Sequence, residues 1–252
     1  PALQSLAQDE TVSDQITVTS LDGTATQTIT VTFNGENDAP TLSVGEISVV
    51  ENGSSGSIDL ATLGDDIDSD DDGTSLIYDI VTPPAIGTAT LVGSQLQYDP
   101  GSAFDYLLAG ETTTQDIEIS ATDDHGAAVT STVTVLITGT NDAPVVSGMV
   151  PAPTTSINGT VMTVTGFVSF TDPDFADTHL GSGQDPFGNP LTFVEVNNAQ
   201  NGATGLWSWS FDIDLNANPA GTVLPYTWVI TDGSGAQISQ TAEFTVPNSG
   251  LN

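Results

Sequence analysis

The chain has 252 residues, with 33 Asp and Glu against no Lys, no Arg and no Cys. A polyanion of this kind repels phosphate backbones and anionic membrane surfaces, so nucleic acid is excluded as a partner. Disulfides and Lys–Asn cross-links are excluded as staples, which leaves divalent cations to offset the self-repulsion.

Residues 1–39 read as the second half of a domain. Two runs rich in Val, Ile and Thr with period-two alternation, Gln15–Thr19 and Ala25–Phe33, flank the turn Leu21-Asp22-Gly23 and predict a β-hairpin. Residues 40–143 read as one complete unit. It has strands at Thr41–Val44 and Ile47–Asn52, an acidic loop at Asp65–Gly73, and further strands near Leu76–Val81 and Ala89–Tyr98. Its closing segment repeats the first one: Glu111–Ile117 matches Glu10–Ile16, and Gly126–Pro144 matches Gly23–Pro40. Residues 144–252 read as a second, divergent unit. In it Val161–Phe170 leads into an acidic loop at Thr171–Asp174, followed by strands at Leu191–Val196, Gly205–Ile213, Pro225–Thr231 and Ala236–Val246. No stretch has a helical period, and Ala103–Gly110 is expected to make at most a single turn.

The units meet at two near-identical joints, Asn34-Gly-Glu-Asn-Asp-Ala-Pro40 and Thr138-Gly-Thr-Asn-Asp-Ala-Pro144, whose prolines lie 104 residues apart. That is the length of one small β domain. Proline ends a sheet and holds the preceding residue extended, so each joint passes the chain straight to the next unit. Asn and Asp before it place side-chain oxygens where a hard cation can tie neighbouring units together.

Residues 119–126 (Ile-Ser-Ala-Thr-Asp-Asp-His-Gly) followed by 133–144 (Val-Thr-Val-Leu-Ile-Thr-Gly-Thr-Asn-Asp-Ala-Pro) resemble the closing half of a cadherin repeat. More closely, the chain resembles the cadherin-like VCBS tandem repeats of large bacterial surface adhesins. The resemblance covers essentially the whole chain, tightly over 6–40 and 104–144 and more loosely over 145–252. It implies an all-β array of tandem cadherin-like, Ig-like Greek-key β-sandwiches, elongated, with Ca2+ at the junctions.

Carried over by position, the resemblance implies one junction formed by Glu51, Glu111, Asn141 and Asp142 with Asp172, Asp174 and Asp232 of the following unit. The junction after the half unit takes Glu10, Asn37 and Asp38, with Asp66, Asp68 and Asp123 from across the joint. The leading acidic residue of the family's linker is Thr140 in one copy and Glu36 in the other, so the two sites are expected to differ in affinity. For any single acid the competing reading is a solvated loop charge, and six carboxylates within Asp65–Asp72 exceed what one ion takes. An EF-hand does not fit, because the flanking helices and the terminal Glu spacing are absent.

Other chemistry finds little support. His125 lies in a predicted turn and His179 after an acidic loop, and with no Cys and no second nearby His a zinc site is not expected. Paired carboxylates of a glycosidase would need a cleft, and these lie in joints and turns with no Lys or Arg to bind a substrate. Trp207, Trp209 and Phe211 alternate along one strand, with Trp228 on another. They read either as one core-facing sheet side or as an exposed platform for a sugar or peptide. Leu224-Pro-Tyr-Thr-Trp228 lacks the glycine of a sortase signal. Asn52-Gly-Ser54 and Asn158-Gly-Thr160 fit the glycosylation sequon, a frequent chance match.

These readings describe a secreted or cell-surface, non-enzymatic protein that is a calcium-rigidified extender segment of a bacterial adhesin. Its partners are neighbouring repeats or identical subunits, with a glycan or host-surface ligand open. One alternative is a filament subunit in which strands of a neighbouring chain complete the half domain. Another is a carbohydrate- or peptide-binding module in the Trp-bearing unit. No run approaches the ~20 apolar residues of a membrane span, and no signal peptide is present, so the sequence is read as a fragment or processed product.

Overall fold

A computed structural model describes residues 3–147, 152–174, 176–197 and 204–248. The chain forms two compact units, Pro1–Gly101 with Thr113–Ile137, and Ser102–Thr112 with Thr138–Asn252. Both are all-β; among the described residues the only helical element is a 3-10 turn at Leu60–Thr62. Among the described residues no helix is long and apolar enough to cross a membrane.

The first unit opens with a hairpin of β1 (Thr11–Thr19) and β2 (Thr26–Asn34), paired in register from Thr11 with Asn34 to Thr19 with Thr26. Then follow β3 (Thr41–Leu42), β4 (Gly45–Val50), β5 (Gly56–Asp59), β6 (Gly64–Asp65), β7 (Ile77–Thr82), β8 (Thr88–Val92), β9 (Gln95–Asp99), β10 (Thr112–Thr122) and β11 (Ala128–Thr138). They form a four-stranded sheet β4-β11-β10-β7, a three-stranded sheet β5-β9-β8 and the small pair β3-β6. The alternating side chains Ile117, Ile119 and Ala121 of β10 and Val133, Val135 and Ile137 of β11 are buried with Ile47, Val49, Leu96 and Tyr98. The Val, Ile and Thr alternation therefore does what its period requires, one face inward and one to solvent.

The second unit contains β12 (Val145–Val146), β13 (Thr154–Asn158), β14 (Val161–Thr171), β15 (His179–Gln184), β16 (Thr192–Asn197), β17 (Gly205–Asp214), β18 (Val223–Asp232) and β19 (Gln237–Thr245). One sheet runs β12-β14-β17-β16 with β13 also on β14, and the other runs β15-β18-β19. Side chains from both sheets share one core that includes Met162, Trp207, Trp209, Trp228, Ile230 and Phe244.

Several details differ from the sequence reading. The segment Ala89–Tyr98 is two strands joined by a turn in which Gly93 has φ 62°. Strands β5, β13 and β15 were not expected, because each is short or polar and carries no Val/Ile-rich alternation. Ala103–Gly110, in agreement with that reading, makes a single hydrogen-bonded turn, Leu107 N–H to the Phe104 carbonyl at 2.9 Å.

Trp207, Trp209 and Trp228 are 7%, 1% and 1% exposed. They are core residues, and no stacking platform is presented to solvent. Trp209 stacks on Phe211 with ring centroids 6.0 Å apart and meets Tyr226 at 4.7 Å. Its six-membered ring lies over Gly166, its register partner on β14, where an added Cβ would stand 2.1 Å from Trp209 Cζ2. Glycine in mid-strand here makes room for the largest core side chain. Gly166→Ala is expected to destabilise the second unit by roughly 1–3 kcal/mol, measured as a lowered denaturant midpoint with unchanged m-value; an unaltered midpoint would show that the indole has room to shift.

Candidate metal centres

Strand alternation places the acids. On β10 the buried positions Ile117, Ile119 and Ala121 continue to Asp123; on β14 Val168 and Phe170 continue to Asp172; on β18 Trp228 and Ile230 continue to Asp232. Period two therefore drives each carboxylate into the end of an apolar core, and Asp123, Asp172 and Asp232 are 2%, 1% and 4% exposed. Glu51 follows Ile47 and Val49 of β4 in the same way and is buried.

In the first unit the joint residues Asn37 and Asp38 meet the predicted acids directly. Asn37 Nδ2 donates to Asp123 Oδ2 at 3.0 Å, and the Asp38 N–H donates to Asp68 Oδ2 at 2.8 Å. Asp123 Oδ1 accepts the N–H groups of His125 (3.0 Å) and Ala127 (2.8 Å), which closes the β10–β11 turn. Asp66 Oδ1 accepts the Asp68 N–H at 3.0 Å. The other oxygens, Asp66 Oδ2 and Asp68 Oδ1, are buried and accept no hydrogen bond. Ser69 Oγ donates to Glu10 Oε2 at 3.0 Å.

The second unit repeats the joint bonds and the turn bonds of this arrangement. Asn141 Nδ2 donates to Asp232 Oδ2 at 2.9 Å, and the Asp142 N–H donates to Asp174 Oδ2 at 3.0 Å. Asp232 Oδ1 accepts the N–H groups of Ser234 and Ala236, and Asp172 Oδ1 accepts that of Asp174. One carboxylate oxygen each of Asp172, Asp177 and Asp232 lies within 4.8 Å of the other two. His179 Nε2 stands 2.9 Å from Asp172 Oδ2, and the ring packs on Phe170.

Asp177 is a residue the sequence reading missed. It is 6% exposed; its Oδ1 accepts the N–H groups of Thr178 and Gly233, and its Oδ2 is buried without a hydrogen bond. Asp71 is its counterpart in the first unit: the Asp71 N–H donates to Asp68 O and the Asp177 N–H to Asp174 O, each at 3.3 Å. The available signal was the spacing Asp-x-Asp-x-x-Asp, present at 66–71 and again at 172–177.

Two of the expected ligands have a local task as well. Glu10 Oε2 accepts the Ala7 N–H at 3.2 Å, and Glu111 Oε2 accepts the Leu108 N–H at 3.2 Å. Each carboxylate thus braces the turn before its own strand. The turn needs a positive φ, supplied by Gly110 at 80° in one copy and by Asp9 at 66° in the other. Asp38, Glu10 and Glu111 side chains are exposed, and Asp142 is half-buried.

The donor chemistry fits a hard cation. Buried carboxylate oxygens gather at the core ends, several accept no hydrogen bond, and no Lys or Arg exists in the chain to answer them. The protonation equilibria carry the same strain. Burial raises Asp66 above its ordinary value of 3.8, and the charges of Asp68 and Asp71 add to it against two backbone N–H groups. Burial pushes Asp123 the same way, but the Asn37 amide and the N–H groups of Ala127, His125 and Gly126 outweigh it and hold this carboxyl low.

Residues 37–136 match the family profile described as bacterial Ig domain. No curated protein matches the chain. Among solved structures, extracellular cadherin domains 1–4 of protocadherin gamma B7 align at 15% identity and a TM-score of 0.50, covering 94% of this chain and 57% of that one. Domains 1–5 of protocadherin gamma B2 align at 14% identity and 0.50, covering 95% and 52%. The chain thus spans little more than half the length of these structures, and at such identity the likeness is one of fold. That fold is the cadherin-like, Ig-like β-sandwich repeat.

A carboxyl with a raised folded-state pKa contributes stability below its unfolded value and loses it as pH rises through the folded one. Ionised Asp66 therefore weakens the metal-free protein at neutral pH. Asp66→Asn keeps the Oδ1 acceptor and removes the charge, so it is expected to raise the metal-free melting temperature at pH 7 and to shrink the rise produced by calcium. A lower metal-free melting temperature would mean that an internal partner already balances this carboxylate.

Proposed function

We propose that the chain is an extracellular, calcium-rigidified extender segment of a bacterial surface adhesin, non-enzymatic, with residues 1–39, 40–143 and 144–252 as successive repeats. The single observation that carries this reading is the duplicated linker. In both copies the Asn-Asp pair before Ala-Pro donates to buried acids of the sandwich that follows, and buried oxygens beside those bonds accept no hydrogen bond. A divalent ion in that setting draws linker and sandwich oxygens together and replaces mutual repulsion with shared coordination. Its binding free energy is added to the fold, ~2.7 kcal/mol per site at a hundred times Kd. The residues assigned to this role are Glu10, Asn37, Asp38, Asp66, Asp68 and Asp123 in one set, and Glu51, Glu111, Asn141, Asp142, Asp172, Asp174 and Asp232 in the other, joined by Asp177. The bacterial Ig domain match, the cadherin-like fold and the VCBS resemblance support an adhesive surface setting.

A second reading, a filament whose subunits complete one another's half domain, is favoured by the first hairpin. Among the described residues β1 and β2 pair with each other and with no further strand, and Ile16, Val18 and Ile29 are 55%, 50% and 50% exposed. Their counterparts in the complete repeat, β10 and β11, are flanked by β7 and β4 and carry a buried face. Concentration-dependent polymers in sedimentation that disappear in Ile16→Asp would select this reading.

Small-angle scattering and thermal melting with calcium and after EGTA test the extender. Chelation is expected to shorten or broaden the distribution of interatomic distances and to lower the melting temperature. Identical scattering and melting in both conditions would contradict it.

A further inference from the structure

The β10–β11 turn carries two side chains that the calcium reading does not use. Asp123 fixes the turn through the N–H groups of His125 and Ala127, and the next two residues, Asp124 and His125, are exposed with His125 Nδ1 2.5 Å from Asp124 Oδ1. The acidic loop brings two more donors to them. One ligand atom from each of Asp70, Asp71, Asp124 and His125 lies within 4.8 Å of every other.

Asp71 separates this group from a chance cluster of surface acids. It is 8% exposed, its Oδ1 accepts the Ser75 hydroxyl at 2.7 Å, and its Oδ2 is buried and accepts no hydrogen bond. The loop that presents it is tied down in turn, since Asp72 Oδ1 accepts the Thr74 and Ser75 N–H groups at 2.7 and 3.2 Å. A buried carboxylate oxygen of this kind calls for a cation, and no Lys or Arg exists in the chain to supply one.

The imidazole decides which cation. Calcium takes oxygen ligands, whereas one imidazole nitrogen with carboxylate oxygens suits zinc and its late first-row neighbours. Ligands around tetrahedral zinc stand about 3.3 Å apart, and three of the four side chains are exposed and free to close that distance. The equivalent turn of the second unit has Gly233 and Ser234 where Asp124 and His125 stand, so it offers none of these turn donors.

We propose that Asp70, Asp71, Asp124 and His125 form a zinc site, chemically distinct from the oxygen-only joints and confined to the first unit. The site has neither the Cys nor the second His usual for zinc; buried and surface carboxylates take their place.

The test is titration of the whole chain with zinc in saturating calcium, followed by 15N imidazole spectra, in which two histidines are the only signals. One equivalent is expected to bind and to shift His125 while leaving His179 unmoved. His125→Gln and Asp71→Asn are each expected to lose that equivalent. In His125→Gln the calcium-dependent rise in melting temperature should remain, showing that fold and joints are intact. Absence of zinc binding in calcium, retention of binding in His125→Gln, or a shift at His179 instead would each overturn the assignment.

Discussion

Burial of many carboxylates in a chain without Lys or Arg is the constraint on which the rest of this structure depends. Asp68, Asp123, Asp172, Asp174, Asp177 and Asp232 are all at least nine-tenths buried in a chain that has no Lys or Arg. Isolated ionised carboxylates in an apolar setting are costly, and proteins normally resolve this with a paired base, a proton or a metal. His179 serves one of these acids and backbone N–H groups serve others, but both kinds of donor leave buried oxygens over. The strand ends therefore gather carboxylates of a chemistry that suits a hard cation, and the sandwiches beneath them are ordinary apolar cores.

The same constraint explains why the repeats agree in bonding more closely than in sequence. Asn37 and Asn141 make the same bond to Asp123 and Asp232, and Glu10 and Glu111 brace the same turn. Gly35 and Gly139 each donate to the main chain of that glutamate and sit so close to the preceding turn that a Cβ would lie within 2.5 Å of a carbonyl oxygen. In the divergent last repeat the bond from Asn141 to Asp232 stays, while Thr222 and Val246 make the main-chain bond that the glutamate and glycine make in the other copies.

Much of this was legible from residues alone. Alternating Val, Ile and Thr announced β10, β11, β14 and β18, because a strand buried on one face has no other pattern available. Asp123, Asp172 and Asp232 were pointed to by the cadherin resemblance, and the buried series that each continues is the reason they face inward. Strands β5, β13 and β15 escaped notice since pairing with neighbours, rather than their own composition, makes them strands. Asp71 and Asp177 were hidden for a different reason. In a loop crowded with acids nothing local marks the one that turns inward, and only comparison of the two Asp-x-Asp-x-x-Asp spacings picks it out. Trp207 and Trp209 were ambiguous because alternation tells that one face is aromatic, and burial by the opposite sheet tells which face that is.

The central claim is that these buried carboxylates hold divalent ions, and diffraction from crystals grown in calcium, with data collected at long wavelength, tests it most directly. The account predicts anomalous peaks in contact with Asp66, Asp68 and Asp123 in the first unit and with Asp172, Asp177 and Asp232 in the second. Maps without such peaks, the carboxylates being turned to water or protonated against one another, would contradict it.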